Sequence, residues 1–313
     1  MKNNLIEVKN NTGMRVVFSP VGASIFAIYI NDRIMTLTPI DMSDFLEKNC
    51  YYGKNIGPIA NRIKDGKMEL NGHKIQFEIN EGKNTLHSSS SSISDMEFIV
   101  DKNHQTNRYH LVRFSLKSKN LPGLRGSIIY RITYKLHLNR NVLELIYDAK
   151  PTSDSVISLT NHSYFCLGED NIEDARLMIP SSEYIEPNKE DLIYLEKKPI
   201  IPCLDFNKKK RIAKDINNPY LINSRTNGYD HCFLLNDKKI SLENKEYKLE
   251  IISDFKAVQI YSDNYDDHIK VVNSKRILHR AIAIEPMDDP LNKEVVLKNR
   301  HYKRKIIYKF KVK

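Results

Sequence analysis

The sequence predicts an all-β protein, a large antiparallel β-sandwich built as one domain over residues 1–313. Three observations predict it. Apolar and polar residues alternate with period two in one segment after another, the mark of strands with one buried face. Turn signals such as Asn71-Gly72 and Asn139-Arg140-Asn141 separate these segments at the ~10-residue spacing common in sandwiches. Amphipathic helical periodicity is missing, apart from one possible turn at Asp44 to Lys48.

In chain order, Lys67 to Leu70 and His73 to Ile79 flank Asn71-Gly72. They read as a hairpin, because a type I′ turn needs positive φ at both central residues and Asn-Gly accepts it. Ser127 to Leu138 and Val142 to Ala149 form a second hairpin. Ile157 to Leu167 reads as one strand. One face carries Ile157, Leu159, Asn161, Ser163, Phe165 and Leu167; the other carries Ser158, Thr160, His162, Tyr164 and Cys166. That second face is a row of hydroxyls around an imidazole. It suits either a wet cleft for a polyhydroxylated ligand or the solvated side of a half-buried strand.

Residues 181–225 contain Pro187, Pro199, Pro202 and Pro219 and read as a long irregular excursion over the sheet. Ile240 to Leu242 and Tyr247 to Ile252 make a third hairpin around Asn244-Lys245. Ala281 to Pro286 is a strand that Pro286 is expected to end at an edge or rim. Lys305 to Val312 is the last strand.

The chain is 41% hydrophobic over 313 residues, ample for a large core. At ~150 residues per domain the length suggests two domains, but large all-β proteins often form one, and no Pro/Gly linker or internal repeat divides the chain. No segment approaches the ~18 apolar residues of a membrane span, and the first residues hold no apolar run of signal-peptide length. A soluble cytoplasmic protein is expected, with Cys50, Cys166, Cys203 and Cys232 as free thiols because no CxxC pair occurs. The formal charge of +10 raises the question of a nucleic-acid partner. The basic clusters Lys208-Lys209-Lys210-Arg211 and Lys298 to Lys305 are short and far apart, and the aromatics lie in alternating strands. Neither nucleic-acid nor membrane binding is therefore expected. The sequence leaves monomer and homodimer open.

GxGxxG, P-loop, GxSxG and HExxH motifs are all absent. His87, His162 and Asp230-His231 match no metal-ligand spacing, so no metal is expected. Glu285 follows Ala281 and Ala283 on one strand face while Ile282 and Ile284 take the other. Small residues beside a carboxylate leave room for a ligand. An unpartnered buried carboxylate is costly, so Glu285 is either paired, at a pocket wall, or a plain strand-end residue in solvent. Arg62 lies between Gly57-Pro58 and Asp65-Gly66, and His87 precedes the serine run Ser88 to Ser92. Asp230 faces away from Tyr229, His231 and Phe233. Taken singly, each of these three reads as structural.

Read together, the segments GPIANRI (57–63), INEGKNTLH (79–87), LPGLRGSIIYRITY (121–134), SLTNHSYFCL (158–167), IPSSEYIEP (179–187), GYDHCFLL (228–235), VQIYSDN (258–264) and AIAIEPMDDPLN (281–292) resemble the aldose 1-epimerase (galactose mutarotase) family, in order and in spacing. The resemblance implies a β-supersandwich that interconverts α- and β-anomers of free aldoses without a cofactor. It places the family's active-site positions on Arg62, His87, His162, Asp230 and Glu285. Opening a pyranose removes a proton from the C1 hydroxyl and gives one to the ring oxygen, so an acid and a base must converge on one carbon. On that reading Glu285 is the base, ionised at neutral pH, and His162 the acid, since an imidazole titrates near ~6.5. Arg62, His87 and Asp230, with Asn61 and Tyr164, would hold sugar hydroxyls. The chain departs from the pattern with Ser88-Ser89 where relatives have Gly-Gly, with Met287 and Asp288-Asp289 after Glu285-Pro286, and with no Trp. Two other readings stay open: an enzyme acting on hexose phosphates, and a non-catalytic sugar-binding protein.

Overall fold

A computed structural model describes residues 5–118, 121, 124–222 and 225–313; Pro122 and Gly123 of the LPGLRG segment lie outside the described residues. A nine-stranded antiparallel sheet runs, in spatial order, through Ile99–Gln105, Tyr109–Ser118, Ile128–His137, Val142–Pro151, Tyr302–Val312, Tyr247–Ser253, Lys239–Glu243, Arg176–Met178 and Lys210–Arg211. A six-stranded sheet runs through Tyr164–Phe165, Ile282–Met287, Ala257–Tyr261, Asp230–Leu235, Ser181–Pro187 and Tyr194–Pro199. Four shorter strands between Ile6 and Ile34 form a separate sheet.

The alternation in sequence explains the packing. Within Ile128–His137 the residues Tyr130, Ile132, Tyr134 and Leu136 are buried while Arg131 is exposed. They share one apolar cluster with Phe165, Phe233, Val258, Ile260, Ile282 and Ile284 of the six-stranded sheet, so the two large sheets pack face to face as a sandwich. Buried phenols need partners. Tyr147 donates to Asn55 Oδ1 (2.7 Å), Tyr134 donates to the Ala23 carbonyl (2.7 Å), and Asn161 donates to the Gly53 carbonyl (2.9 Å). This polar network fixes the chain beneath the six-stranded sheet's outer face.

The predicted hairpins are present, and Asn71 and Gly72 both have positive φ (51° and 76°) as the type I′ turn requires. The helical turn forms at Met42–Leu46. Three expectations need correction. Ile157 to Leu167 is not one strand: within it Thr160–Asn161 pairs with Asn55–Ile56 and Tyr164–Phe165 with the Ile282–Met287 strand, and the preceding Ser155–Val156 pairs with Val295–Val296. Each change of partner brings new cover, so Ser158, Thr160 and Cys166 are buried rather than wet, and Thr160 donates to the Pro286 carbonyl (2.9 Å). The 181–225 stretch contributes two strands of the six-stranded sheet, tolerated because Pro187 and Pro199 each stand at the last position of a strand. Pro286 lies inside its strand, because the flanking Tyr164–Phe165 strand reaches only Ala283 and Ile282 and asks no N–H of it. Among the described residues no helix is long and apolar enough to cross a membrane, and Cys50, Cys166, Cys203 and Cys232 are buried free thiols.

Candidate active site

Strand register assembles the site. Ile282–Met287 lies between Ala257–Tyr261, where Gln259 faces Glu285, and Tyr164–Phe165, where Tyr164 faces Ala283. His162 lies just before that ladder, in the two-residue connection between Thr160–Asn161 and Tyr164–Phe165, and its Nε2 is 3.3 Å from Glu285 Oε1. Backbone bonds hold the imidazole's own segment: His162 N–H donates to the Lys54 carbonyl (2.9 Å), and Gly53 N–H donates to the His162 carbonyl (3.0 Å).

The pair lies in a pocket of about 450 Å³. Asn61, Arg62, His87, His162, Tyr164, Asp230 and Glu285 all line it, so the structure brings together every site residue named from the sequence. Arg62 spans Glu81 in a two-pronged ion pair (2.7 and 3.0 Å) and reaches Asp230 at 3.8 Å. Asp230 Oδ1 accepts from Gln259 Nε2, and Gln259 Oε1 accepts from the Tyr194 hydroxyl. Asn61 Nδ2 donates to the Tyr194 oxygen (2.6 Å). Asn61 N–H donates to His87 Nδ1 (3.1 Å), so a neutral His87 carries its proton on Nε2. Tyr51 stacks on His162 with ring centres 5.6 Å apart and meets His87 edge-on at 4.7 Å.

Burial governs the charges. It pushes the Glu285 carboxyl well above the usual carboxylate range, with the Asp230 charge adding to the effect and Arg62 opposing it. It pushes His162 down to about 4 and His87 well below the ordinary imidazole value. Asp230 is raised by burial against the pull of Arg62. Burial thus works against charge on both partners, opposing the carboxylate on Glu285 and the imidazolium on His162 alike.

Sequence reasoning missed Gln259, Tyr51 and Glu81, all of which line the pocket. The alternation of Ala257–Tyr261 could have found Gln259, since Val258 and Ile260 take the core face and Gln259 the other. Tyr51 lies in no periodic segment and left no signal. His231 belongs elsewhere, packed against Tyr184 and Tyr220 and outside the pocket lining. Among the described residues no group of three His, Cys, Asp or Glu side chains is arranged to hold a metal ion.

The family model described as aldose 1-epimerase matches residues 4–303. An aldose 1-epimerase from Haemophilus influenzae is 29% identical over 282 residues, covering 83% of this chain and 79% of that one. The human galactose mutarotase is 27% identical over 271 residues, covering 81% and 76%. The crystal structure of a galactose 1-epimerase from Lactobacillus acidophilus superposes with a TM-score of 0.90 at 23% identity, over 98% of this chain and 94% of that one, which shows a shared fold. With the family model spanning nearly its whole length, the chain belongs to the aldose 1-epimerase family.

Proposed function

We propose that this protein interconverts the α and β anomers of a free, uncharged aldohexose, galactose or glucose, with Glu285 and His162 as its general base and acid. The 3.3 Å contact of His162 Nε2 with Glu285 Oε1 inside a sugar-sized pocket carries the reading. The reaction needs one proton on the pair, and burial supports that arrangement by opposing both the ionised carboxylate and the imidazolium. A sugar hydroxyl donating to Glu285 favours its charged form and so moves the shared proton toward His162. Glu285 then takes the proton from the C1 hydroxyl. As the C1–O5 bond breaks, C1=O1 forms and O5 takes the proton from His162. Rotation about C1–C2 and the reverse transfers close the other anomer, with no net change in the protein. Arg62, His87, Asp230, Asn61 and Tyr164 hold the remaining hydroxyls, keeping the open chain in place while C1 turns.

Pocket charge offers little to a hexose phosphate. Of the two lining arginines, Arg62 is already engaged by Glu81 and lies 3.8 Å from Asp230, which leaves Arg225 to meet a phosphate dianion; Asp263 and Asp267 are paired with Arg280. The +10 net charge is carried elsewhere on the surface. The same reading has a single-domain monomer or homodimer acting in the cytoplasm on a small-molecule sugar, with no cofactor, metal, membrane or nucleic-acid partner.

Polarimetry tests it. Fresh α-D-galactose or α-D-glucose with catalytic protein should reach equilibrium rotation faster than the buffer blank, and glucose 6-phosphate should gain far less. Sugar binding without acceleration would replace this reading with a binding protein, and acceleration confined to the phosphate would replace it with the phosphate enzyme.

A further inference from the structure

We propose that Ser88 is a positioning residue for sugar binding, its hydroxyl clasping the backbone of Ile59 and so fixing His87 in the pocket wall. The inference deepens the function proposed above and rests on it only for the identity of the sugar. Three consecutive residues, His87, Ser88 and Ser89, have left-handed backbones with φ of 52°, 66° and 47°. None is glycine, so each Cβ works against that conformation, and such a run persists only where surrounding contacts hold it. Ser88 supplies one of those contacts. Its buried Oγ accepts from Ile59 N–H (3.0 Å) and donates to the Ile59 carbonyl (2.9 Å). The same short stretch of chain grips the neighbouring residue in the same reciprocal way. Asn61 N–H donates to His87 Nδ1 (3.1 Å), and His87 N–H donates to the Asn61 carbonyl (3.1 Å).

The other side of this stretch is fixed as well. Ser158 N–H donates to the Pro58 carbonyl (2.7 Å), and Ala60 N–H donates to the Ser158 carbonyl (2.9 Å). Residues 58–61 are therefore held between the Ser158 backbone and the Ser88 hydroxyl, and the turn that presents His87 hangs from them. No bond in this set runs to Glu285 or to the His162 ring. Loosening it should misplace the His87 donor and leave the proton-transfer pair alone.

Ser88→Ala removes the clasp and keeps the left-handed Cβ; Ser88→Gly removes the clasp and relieves the backbone. Both should raise KM for galactose about tenfold, the scale of one hydrogen bond lost, with kcat changed less than about threefold. Ser88→Gly should melt at the higher temperature of the two, yet share the KM defect. His87→Ala alone should also raise KM, and adding Ser88→Ala to it should raise KM no further. Wild-type KM in both Ser88 variants would overturn the proposal, as would an undiminished effect of Ser88→Ala in the His87→Ala background. If Ser88→Ala does not fold, Ser88→Gly carries the same comparison. A calorimetric Kd for galactose on each protein keeps the two readings apart, because it reports the clasp even if the wild type does not accelerate mutarotation.

Discussion

Glu285→Gln separates proton transfer from sugar binding most cleanly. The side chains are the same size, so no cavity opens at this fully enclosed site. Burial already shifts the Glu285 carboxyl toward its neutral form, which a neutral amide imitates. The stability consequence has a definite sign. A carboxyl whose folded pKa is raised binds more protons folded than unfolded, so it lowers stability as pH rises from ~4.3 toward the folded value. Removing it should leave the melting temperature at pH 7 unchanged or higher. The rate should fall by ~10²–10⁴, the scale of a missing general base, equivalent to about 2.7–5.5 kcal/mol of transition-state stabilisation. The galactose Kd should stay within about threefold, because Arg62, His87 and Asp230 keep their places. Polarimetry at saturating galactose gives kcat and calorimetry gives Kd. A rate near wild type refutes the role of base. Rate and binding lost together would make Glu285 a sugar anchor instead.

The remaining expectations follow from neighbouring groups. His162→Asn should cost a similar factor of over ~100 in kcat by the same assay, and wild-type kinetics would dismiss it as the acid. The profile of kcat/KM against pH should be bell-shaped, because the pair works with one proton. Below the His162 value of about 4 both groups are protonated and no base is left; above the raised Glu285 value both are bare and no acid is left. A rate that keeps rising below pH 4 would contradict this. Asp230→Asn removes charge from the wall that Arg62 and Gln259 hold and should raise KM more than it lowers kcat. Arg280→Met should lower the unfolding free energy by about 3–5 kcal/mol in urea titration, the cost of stranding a buried charge. Arg280 is 2% exposed and binds Asp263 (2.6 Å), Asp267 (3.1 Å) and the Tyr52 hydroxyl (2.8 Å). Unchanged stability would show that the cluster is solvated.

What the sequence revealed depended on how long each periodic signal ran. Ile128–His137 and Val142–Pro151 are long enough for alternation to identify the strands, their faces and their turn. Glu285 stood out because two isoleucines fix the core face of its strand and leave it on the other. The Ile157 to Leu167 stretch shows the limit. Two-residue ladders carry no period, so a chain that passes from one partner to another imitates one strand, and its buried serine and threonine looked like a wet face. Prolines hid Ser181–Pro187 and Tyr194–Pro199, since composition does not tell a proline inside a strand from one that ends it. The direction of the charge shifts was illegible for a different reason. Residue type predicts an ionised Glu and an imidazole near neutrality, whereas enclosure by Tyr51, Tyr164 and the sheet disfavours both charges.

The site geometry joins strand register to one short connection. Glu285 and Gln259 face each other on neighbouring strands, with Ile284 and Ile260 behind them in the core. His162 lies in the two-residue connection between Thr160–Asn161 and Tyr164–Phe165, held by its backbone bonds to Lys54 and Gly53. A slip of one residue in Ile282–Met287 would bury Glu285 and expose both isoleucines, so the same apolar burial that holds the sandwich together forbids it. Asp230 enters from the next strand but one, where Cys232 rather than Asp230 stands opposite Gln259, and this two-residue offset leaves Asp230 lining the pocket with Arg62 while His162 and Glu285 keep their contact. Both ends of the pair are thus fixed by folding, Glu285 by its place in a strand between two neighbours and His162 by backbone bonds on either side of its short connection. On the proposed mechanism the moving part is therefore the open-chain sugar rather than the protein.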